Sequence, residues 1–344
     1  MRYIGSKRDL LDFIYAPFQE HRLEGNVLFD AFAGTTVVSQ FFKKRGFTVI
    51  ANDLMTYAYV FARAYICVNS MPAFEGLSSI VKNPNISNVV QFLNGLQGEK
   101  GFVYRNYSKE GSKDEKFVRN YFSPGNAQKI DAIRETLESW RKERLIFDDA
   151  FYILLCALLE SVPSVSNIAG TYGAFLKIDD PRKFKTLRLR PPSLVFRGHG
   201  HQCYNEDANE LVKRISCDIL YVDPPYNARQ YAANYHILEM ITVWDKKIKD
   251  LKTGLIPWDN KKSKYSSKKD CVAALEELVK NAKCKYIIMS YNSEGIIPYN
   301  EIVRILSNKG KMIEYKKTYR RFKSNHGGIG KPPLKELLFV TKVL

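Results

Sequence analysis

The residues most able to do chemistry are Asp223-Pro224-Pro225-Tyr226, which stand directly after the apolar run Ile219–Val222. An amine attached to an aromatic ring is a poor nucleophile, because its lone pair is delocalised into the ring. A carboxylate and a backbone carbonyl that accept both N–H hydrogens favour a more tetrahedral nitrogen and aim its lone pair at an electrophile. Asp223 and the Pro224 carbonyl fit that need. The prolines fix the backbone that carries the carbonyl, and Tyr226 offers a flat face on which a flipped base could stack.

The electrophile needs its own pocket. Asp30-Ala-Phe-Ala-Gly34-Thr-Thr36 ends one apolar run and opens a helical pattern, where a glycine lets the backbone approach a ligand and free N–H groups meet its anionic end. Asp53 closes the next apolar run, a place suited to holding ribose hydroxyls. Taken singly these are weak signals, and the full G-x-G-x-x-G fingerprint is missing, which argues against a nicotinamide enzyme. The six cysteines are scattered, with no C-x-x-C pair and none beside a His at metal-ligand spacing, so neither a zinc site nor a disulfide framework is signalled. The histidines form no triad or metal pattern, and no metal is expected.

Elements must position these groups. Asn26–Leu54 reads as strand, turn, helix and strand: Val27–Phe29 and Thr48–Ala51 are short buried runs, and Val37–Lys44 suits a helix that Gly46 stops. Ile219–Val222 is a buried strand halted by two prolines, and Tyr286–Met289 is another. Apolar residues at 272, 275, 278 and 279 give an amphipathic helix before it. Strands alternating with helices predict a parallel α/β sheet. Residues 67–195 look different, with mixed polarity, many aromatics and interspersed basic residues. Within them 127–144 and 148–160 carry helical periodicity, and 164–177 has the Gly and Asn content of a hairpin or loop.

The ordered set Tyr3-Ile-Gly-Ser-Lys7, Asp30-x-Phe-x-Gly34, Asp53, Asp207 and Asp223-Pro-Pro-Tyr226 resembles the alpha group of N6-adenine DNA methyltransferases. Blocks such as Tyr172-Gly-Ala-Phe-Leu-Lys177, Asn205-Glu-Asp-Ala-Asn209 and Ser290-Tyr-Asn-Ser-Glu-Gly295 resemble those of type II restriction–modification methylases. The resemblance implies a class I methyltransferase fold, Rossmann-like, made of residues 1–66 and 196–344, with a largely helical target-recognition domain inserted at 67–195. It implies that Tyr3, Gly5, Ser6 and Lys7 line the methionine end of S-adenosyl-L-methionine, with Lys7 also able to pair with Asp223. Asp30, Phe32, Ala33, Gly34 and Thr35 then surround the cofactor, Asp53 takes its ribose and Asp207 its adenine amine, while Asp223, Pro224, Pro225 and Tyr226 are catalytic. The sequence departs from the family at Thr36, where a second glycine is usual and a Cβ narrows the turn.

The expected activity is methylation of the adenine N6 amine in a specific double-stranded DNA sequence, with the base flipped out. The same residue logic also serves RNA adenine or DNA cytosine-N4 methyltransferases, and a nucleic-acid-binding protein without catalysis is the alternative from another class. Charge agrees with an acidic partner: 53 Lys+Arg stand against 36 Asp+Glu, a net +17. Asn167, Tyr172, Lys177, Arg188 and Arg190 are the candidate DNA contacts. The basic runs Arg182–Arg190, Lys246–Lys269 and Lys316–Lys323 are expected around the catalytic pocket as phosphate contacts. A cognate restriction endonuclease acting separately is the expected partner of such an enzyme, and a monomer or weak dimer the expected state. The N-terminus lacks the apolar core of a signal peptide, and Ala150–Glu160 is too short to cross a bilayer, so a cytoplasmic location is expected.

Overall fold

A computed structural model describes residues 4–319 and 334–344. The chain divides into two compact units. One comprises Gly5–Ala62, Val195–Tyr231 and Asp259–Leu344; the other comprises Arg63–Leu194 and Ala232–Trp258, with Ile4. The expected division at 67–195 is therefore corrected. The second unit begins slightly earlier and takes in a further segment after the Asp-Pro-Pro-Tyr motif.

The first unit carries a seven-stranded sheet in the order β3-β2-β1-β4-β5-β7-β6. Its strands are β1 (Val27–Asp30), β2 (Thr48–Asn52), β3 (Gln202–Tyr204), β4 (Ile219–Val222), β5 (Tyr286–Asn292), β6 (Gly310–Tyr319) and β7 (Leu334–Val343). Strands β1 to β5 pair parallel, whereas β7 runs antiparallel to both β5 and β6. Strand β4, Ile-Leu-Tyr-Val, is buried at every position, as a central parallel strand covered on both faces must be. On one face Phe29, Ile50, Leu220, Val222, Ile287 and Met289 pack with Leu275 and Leu278 of the helix Cys271–Asn281 and with Ile302 and Ile305 of the helix Tyr299–Lys309. Each such side chain taken from water contributes about 1.5–3 kcal/mol.

The helix Val37–Lys44 spans the predicted residues, and Gly46 ends it at φ +89°, a backbone region that suits glycine. Its Phe41 and Phe42 meet Tyr15, Phe18 and Phe47 in an aromatic cluster. The expected strands thus form, each with one or more residues added at its carboxyl end except β4.

The second unit is helical, built on Ile86–Gly95, Pro124–Lys142, Asp148–Ser161 and His236–Val243. Pro124 opens the longest helix at N1 and Ser123 caps it, accepting from the Asn126 amide at 3.3 Å. The buried Arg134 of that helix donates to the Ile241 and Thr242 carbonyls at 2.6 and 3.1 Å. Those orphan carbonyls at the end of His236–Val243 need donors, which is the physical reason that Ala232–Trp258 joins this unit. No helix of the described residues is long and apolar enough to cross a membrane.

Candidate active site

Three of the predicted acids lie at the carboxyl ends of parallel strands: Asp30 ends β1, Asp53 follows β2 and Asp223 follows β4. Open α/β sheets bind ligands at that edge, where strand ends diverge into loops.

The Asp223 carboxylate, 15% exposed, sits 3.2 Å from the Lys7 ammonium. Lys7 in turn lies 2.7 Å from Glu336 of β7; Lys7 and Glu336 are buried, and Asp223 is half-buried. Burial alone would strip the Lys7 charge, but the two carboxylates outweigh it and hold its pKa above the ordinary value. Burial pushes Asp223 up to about 7; Glu336 and Asp30 add to the rise and Lys7 opposes it. Tyr226 donates its hydroxyl to Asp223 Oδ1 and accepts from Lys7. Its ring meets Tyr291 edge-on at 5.2 Å, with the Lys7 ammonium 4.5 Å from its centre. Among the described residues no donor reaches the Pro224 carbonyl. A preorganised carbonyl next in sequence to a half-buried carboxylate is a pair of acceptors matched to the two hydrogens of a primary amine.

The turn after β1 is held from three sides. Ala33 donates to the Asn52 carbonyl at 2.8 Å, Gly34 to Asp53 Oδ2 at 2.8 Å, and Thr36 to the Ala33 carbonyl at 2.6 Å. Gly34 takes φ +50° and Thr36 φ +60°. The position where glycine is usual in the resembled family therefore demands a left-handed backbone, and Thr36 adopts it against its own preference. Asp53 Oδ1 also accepts from the Met55 amide at 2.8 Å. Asp207 caps the short helix Ala208–Leu211 through Oδ1, and no hydrogen bond to Oδ2 occurs among the described residues. Phe32 stands edge-on to Tyr265 at 5.0 Å. Gly5 has φ +78°, and Ser6 and Thr35 are half-buried; Tyr3 lies outside the described residues.

Asp30 tests whether this edge fits S-adenosylmethionine. Its Oδ2 accepts from Ser39 at 2.6 Å, but its buried Oδ1 has no hydrogen-bond partner among the described residues, and burial pushes its pKa up to about 7. An orphaned buried carboxylate oxygen calls for a donor. An ammonium group at the methionine end would supply one, and the free acceptor capacity of Asp53 and Asp207 would suit hydroxyl and amino groups. The residues present fit the group.

Two predicted DNA contacts are corrected. Asn167 is fully buried: its amide donates to the Asn120 and Leu176 carbonyls at 2.9 and 3.0 Å and its oxygen accepts from the Asp180 amide at 2.8 Å. Tyr172 is buried with its hydroxyl 3.0 Å from Ser166. Both brace the 164–177 loop, which forms no strand, and neither presents a group to DNA. Lys177, Arg188 and Arg190 are exposed. The two arginines alternate with buried Leu187 and Leu189. Of the other basic residues, Arg182 pairs with Asp180, Lys183 is buried against Asp179, and Lys261 donates to the Leu54 carbonyl at 2.7 Å. The runs are thus partly structural, and residues 320–323 lie outside the described residues. Buried His236 donates through Nε2 to the Tyr172 carbonyl, 2.9 Å away, and burial lowers its pKa to about 4. Among the described residues no group of three His, Cys, Asp or Glu could hold a metal ion.

Glu336 belongs to no motif in the sequence. Its only signal is an acid inside the apolar run Leu334–Val343 of β7.

Strand order, the antiparallel seventh strand and the acids on the carboxyl edge define a class I methyltransferase fold. The chain belongs to the D12 class N6 adenine-specific DNA methyltransferases, whose family model matches residues 3–305. It is 41% identical over 330 residues to the type II methyltransferase M.NlaIII of Neisseria lactamica, covering 94% of this chain and 93% of that protein. It is 40% identical to the type II methyltransferase M.FokI of Planomicrobium okeanokoites and 38% identical to the modification methylase StsI of Streptococcus sanguinis. There the match takes 95% and 98% of this chain but 50% and 51% of the relatives' length.

Proposed function

We propose that this DNA methyltransferase acts at a specific double-stranded sequence, that S-adenosylmethionine is its methyl donor, and that Asp223 and the Pro224 carbonyl hold the amine of a flipped adenine. The observation that carries this is the half-buried Asp223 carboxylate followed by a carbonyl that no donor among the described residues reaches, at the carboxyl end of the central strand.

S-adenosylmethionine, when bound, supplies an electrophilic methyl group on a positively charged sulfur. Asp30, Gly34, Asp53 and Asp207 would hold it. Asp223 and Pro224 take the two amine hydrogens, which draws the nitrogen lone pair out of the ring and fixes its direction. Arrival of the base breaks the Tyr226–Asp223 hydrogen bond, freeing the acceptor and turning the tyrosine ring into a stacking surface. Alkylated nitrogen must shed a proton. Asp223, with its carboxyl near 7, is the base within reach. Lys177, Arg188 and Arg190 contact phosphates. The similarity to type II methyltransferases supports a role in protecting host DNA from a cognate endonuclease that acts separately; the methyltransferase itself works as a monomer or weak dimer.

Nucleoside mass spectrometry of DNA and RNA after incubation with labelled cofactor tests the substrate. N6-methyladenine confined to one DNA sequence is the expected result; N4-methylcytosine or modified RNA would overturn it. Asp223→Ala should lose transfer by 1,000-fold or more, on the order of other removals of a transition-state contact, while calorimetry still shows cofactor binding.

A further inference from the structure

We propose that Glu336 is a positioning residue for methyl transfer, acting by taking up the charge of Lys7 so that Asp223 stays available to the substrate amine. This rests on the reading of Asp223 as the amine acceptor.

The geometry that assigns this role is unequal sharing of one cation between two carboxylates. The Lys7 ammonium lies 2.7 Å from Glu336 and 3.2 Å from Asp223. Glu336 is itself pinned by Ser290 at 2.8 Å and by the strand register that sets it opposite Asn292 at the carboxyl end of β5. Lys7 is 4% exposed, Glu336 6% and Asp223 15%. In such a site a lysine with a single carboxylate would pair with it fully. If that single carboxylate were Asp223, the lysine would saturate the acceptor that the amine needs. With Glu336 as the nearer counter-ion, the cluster holds one cation and two anions. The surplus negative charge falls at Asp223, where the amine nitrogen becomes positive as it is alkylated.

Glu336→Gln keeps the size and hydrogen-bonding capacity of the side chain and removes only the charge. The expected result is a folded protein with S-adenosylmethionine affinity within about threefold of the parent by calorimetry. Flipping of a 2-aminopurine at the target position, read by fluorescence, is also retained, but kcat falls roughly tenfold or more. The pH profile supplies the readout that a purely structural residue would not move. Glu336 raises the Asp223 pKa, so its neutralisation shifts the acid limb of kcat to lower pH. Glu336→Asp, which restores the charge, recovers part of the rate. Because Glu336 acts through Lys7, Glu336→Gln added to Lys7→Met should cost nothing further. Should the glutamine variant fold poorly, that pair still decides, since the double variant then folds and turns over no worse than Lys7→Met alone. Wild-type kcat with an unmoved acid limb in Glu336→Gln, or a full additional loss in the double variant, overturns the proposal. Asp223→Asn is assayed alongside: its inactivity beside an unaffected Glu336→Gln condemns only this inference, whereas an active Asp223→Asn condemns the underlying assignment.

Discussion

The Gly34 amide donates to Asp53 Oδ2 at 2.8 Å, fastening the turn after β1 to the residue that ends β2. The carboxylate proposed to take the ribose therefore also shapes the turn after β1. Asp53→Ala loses both functions, so S-adenosylmethionine affinity should fall roughly 10- to 100-fold, the range for a charge-assisted hydrogen bond. Asp53→Asn keeps an acceptor for Gly34 and should lose less. Calorimetric titration of both variants checks this, and an unchanged Kd in Asp53→Ala would remove Asp53 from the cofactor site.

Thr36 is a β-branched residue held at φ +60°, fully buried, with its hydroxyl on the Thr35 carbonyl at 2.7 Å and accepting from Gln40 at 3.0 Å. The left-handed backbone costs about 1–2 kcal/mol, and the hydroxyl bonds offset a similar amount. Thr36→Gly relieves the strain and forfeits the bonds, so stability should stay within about 1 kcal/mol of the parent. Thr36→Val keeps the strain and forfeits the bonds, and should unfold about 1–2 kcal/mol more easily. Urea denaturation separates the two; equal losses would show that the turn carries no strain.

Asp30 gives a pH signature. Its folded pKa of about 7 lies above the unfolded value of 3.8, so the fold favours the protonated carboxyl. Relative to an untitratable side chain, its contribution is fully present below 3.8, declines as pH rises toward 7 and is lost above. Asp30→Asn, which can still pair with Ser39, should therefore gain stability over the parent as pH rises from 4 to 8. The gain has a ceiling of about 4 kcal/mol. Thermal denaturation of cofactor-free protein across that range is the measurement, and a difference that does not change with pH would contradict it.

Where the physics was local, the sequence was legible. Ile219–Val222 reads as a central strand because every position is apolar, and the Val37–Lys44 helix is bounded because Gly46 alone tolerates its backbone. What decides Ala232–Trp258 is remote: His236–Val243 looks like a buried helix in either unit, and only the Arg134 guanidinium on its terminal carbonyls assigns it. Glu336 stayed hidden for the same reason, since Lys7, the residue that justifies a buried acid there, stands 329 positions away. For Asn167 and Tyr172, residue type suggested a polar surface loop, but an amide that satisfies three backbone groups is worth more inside than out.

That inversion yields the sharpest contrast between neighbours in sequence. Asn167→Ala leaves two carbonyls and an amide without their buried partner, so the protein should lose about 2–4 kcal/mol of stability, while DNA affinity per folded molecule stays unchanged. Arg188 and Arg190 are exposed, form no ion pair among the described residues, and ride on a segment fixed by buried Leu187 and Leu189. If both neutralise phosphates, Arg188→Glu with Arg190→Glu should leave the unfolding midpoint alone. It should reduce the slope of log affinity against log salt by about 1.8, from roughly 0.9 per phosphate contact. Fluorescence anisotropy with a duplex between 50 and 200 mM salt, a range in which such contacts dominate, measures that slope. An unaltered slope would mean that the net +17 of this chain meets DNA elsewhere, whereas a loss of stability instead would mean that the arginines, like Asn167, belong to the fold.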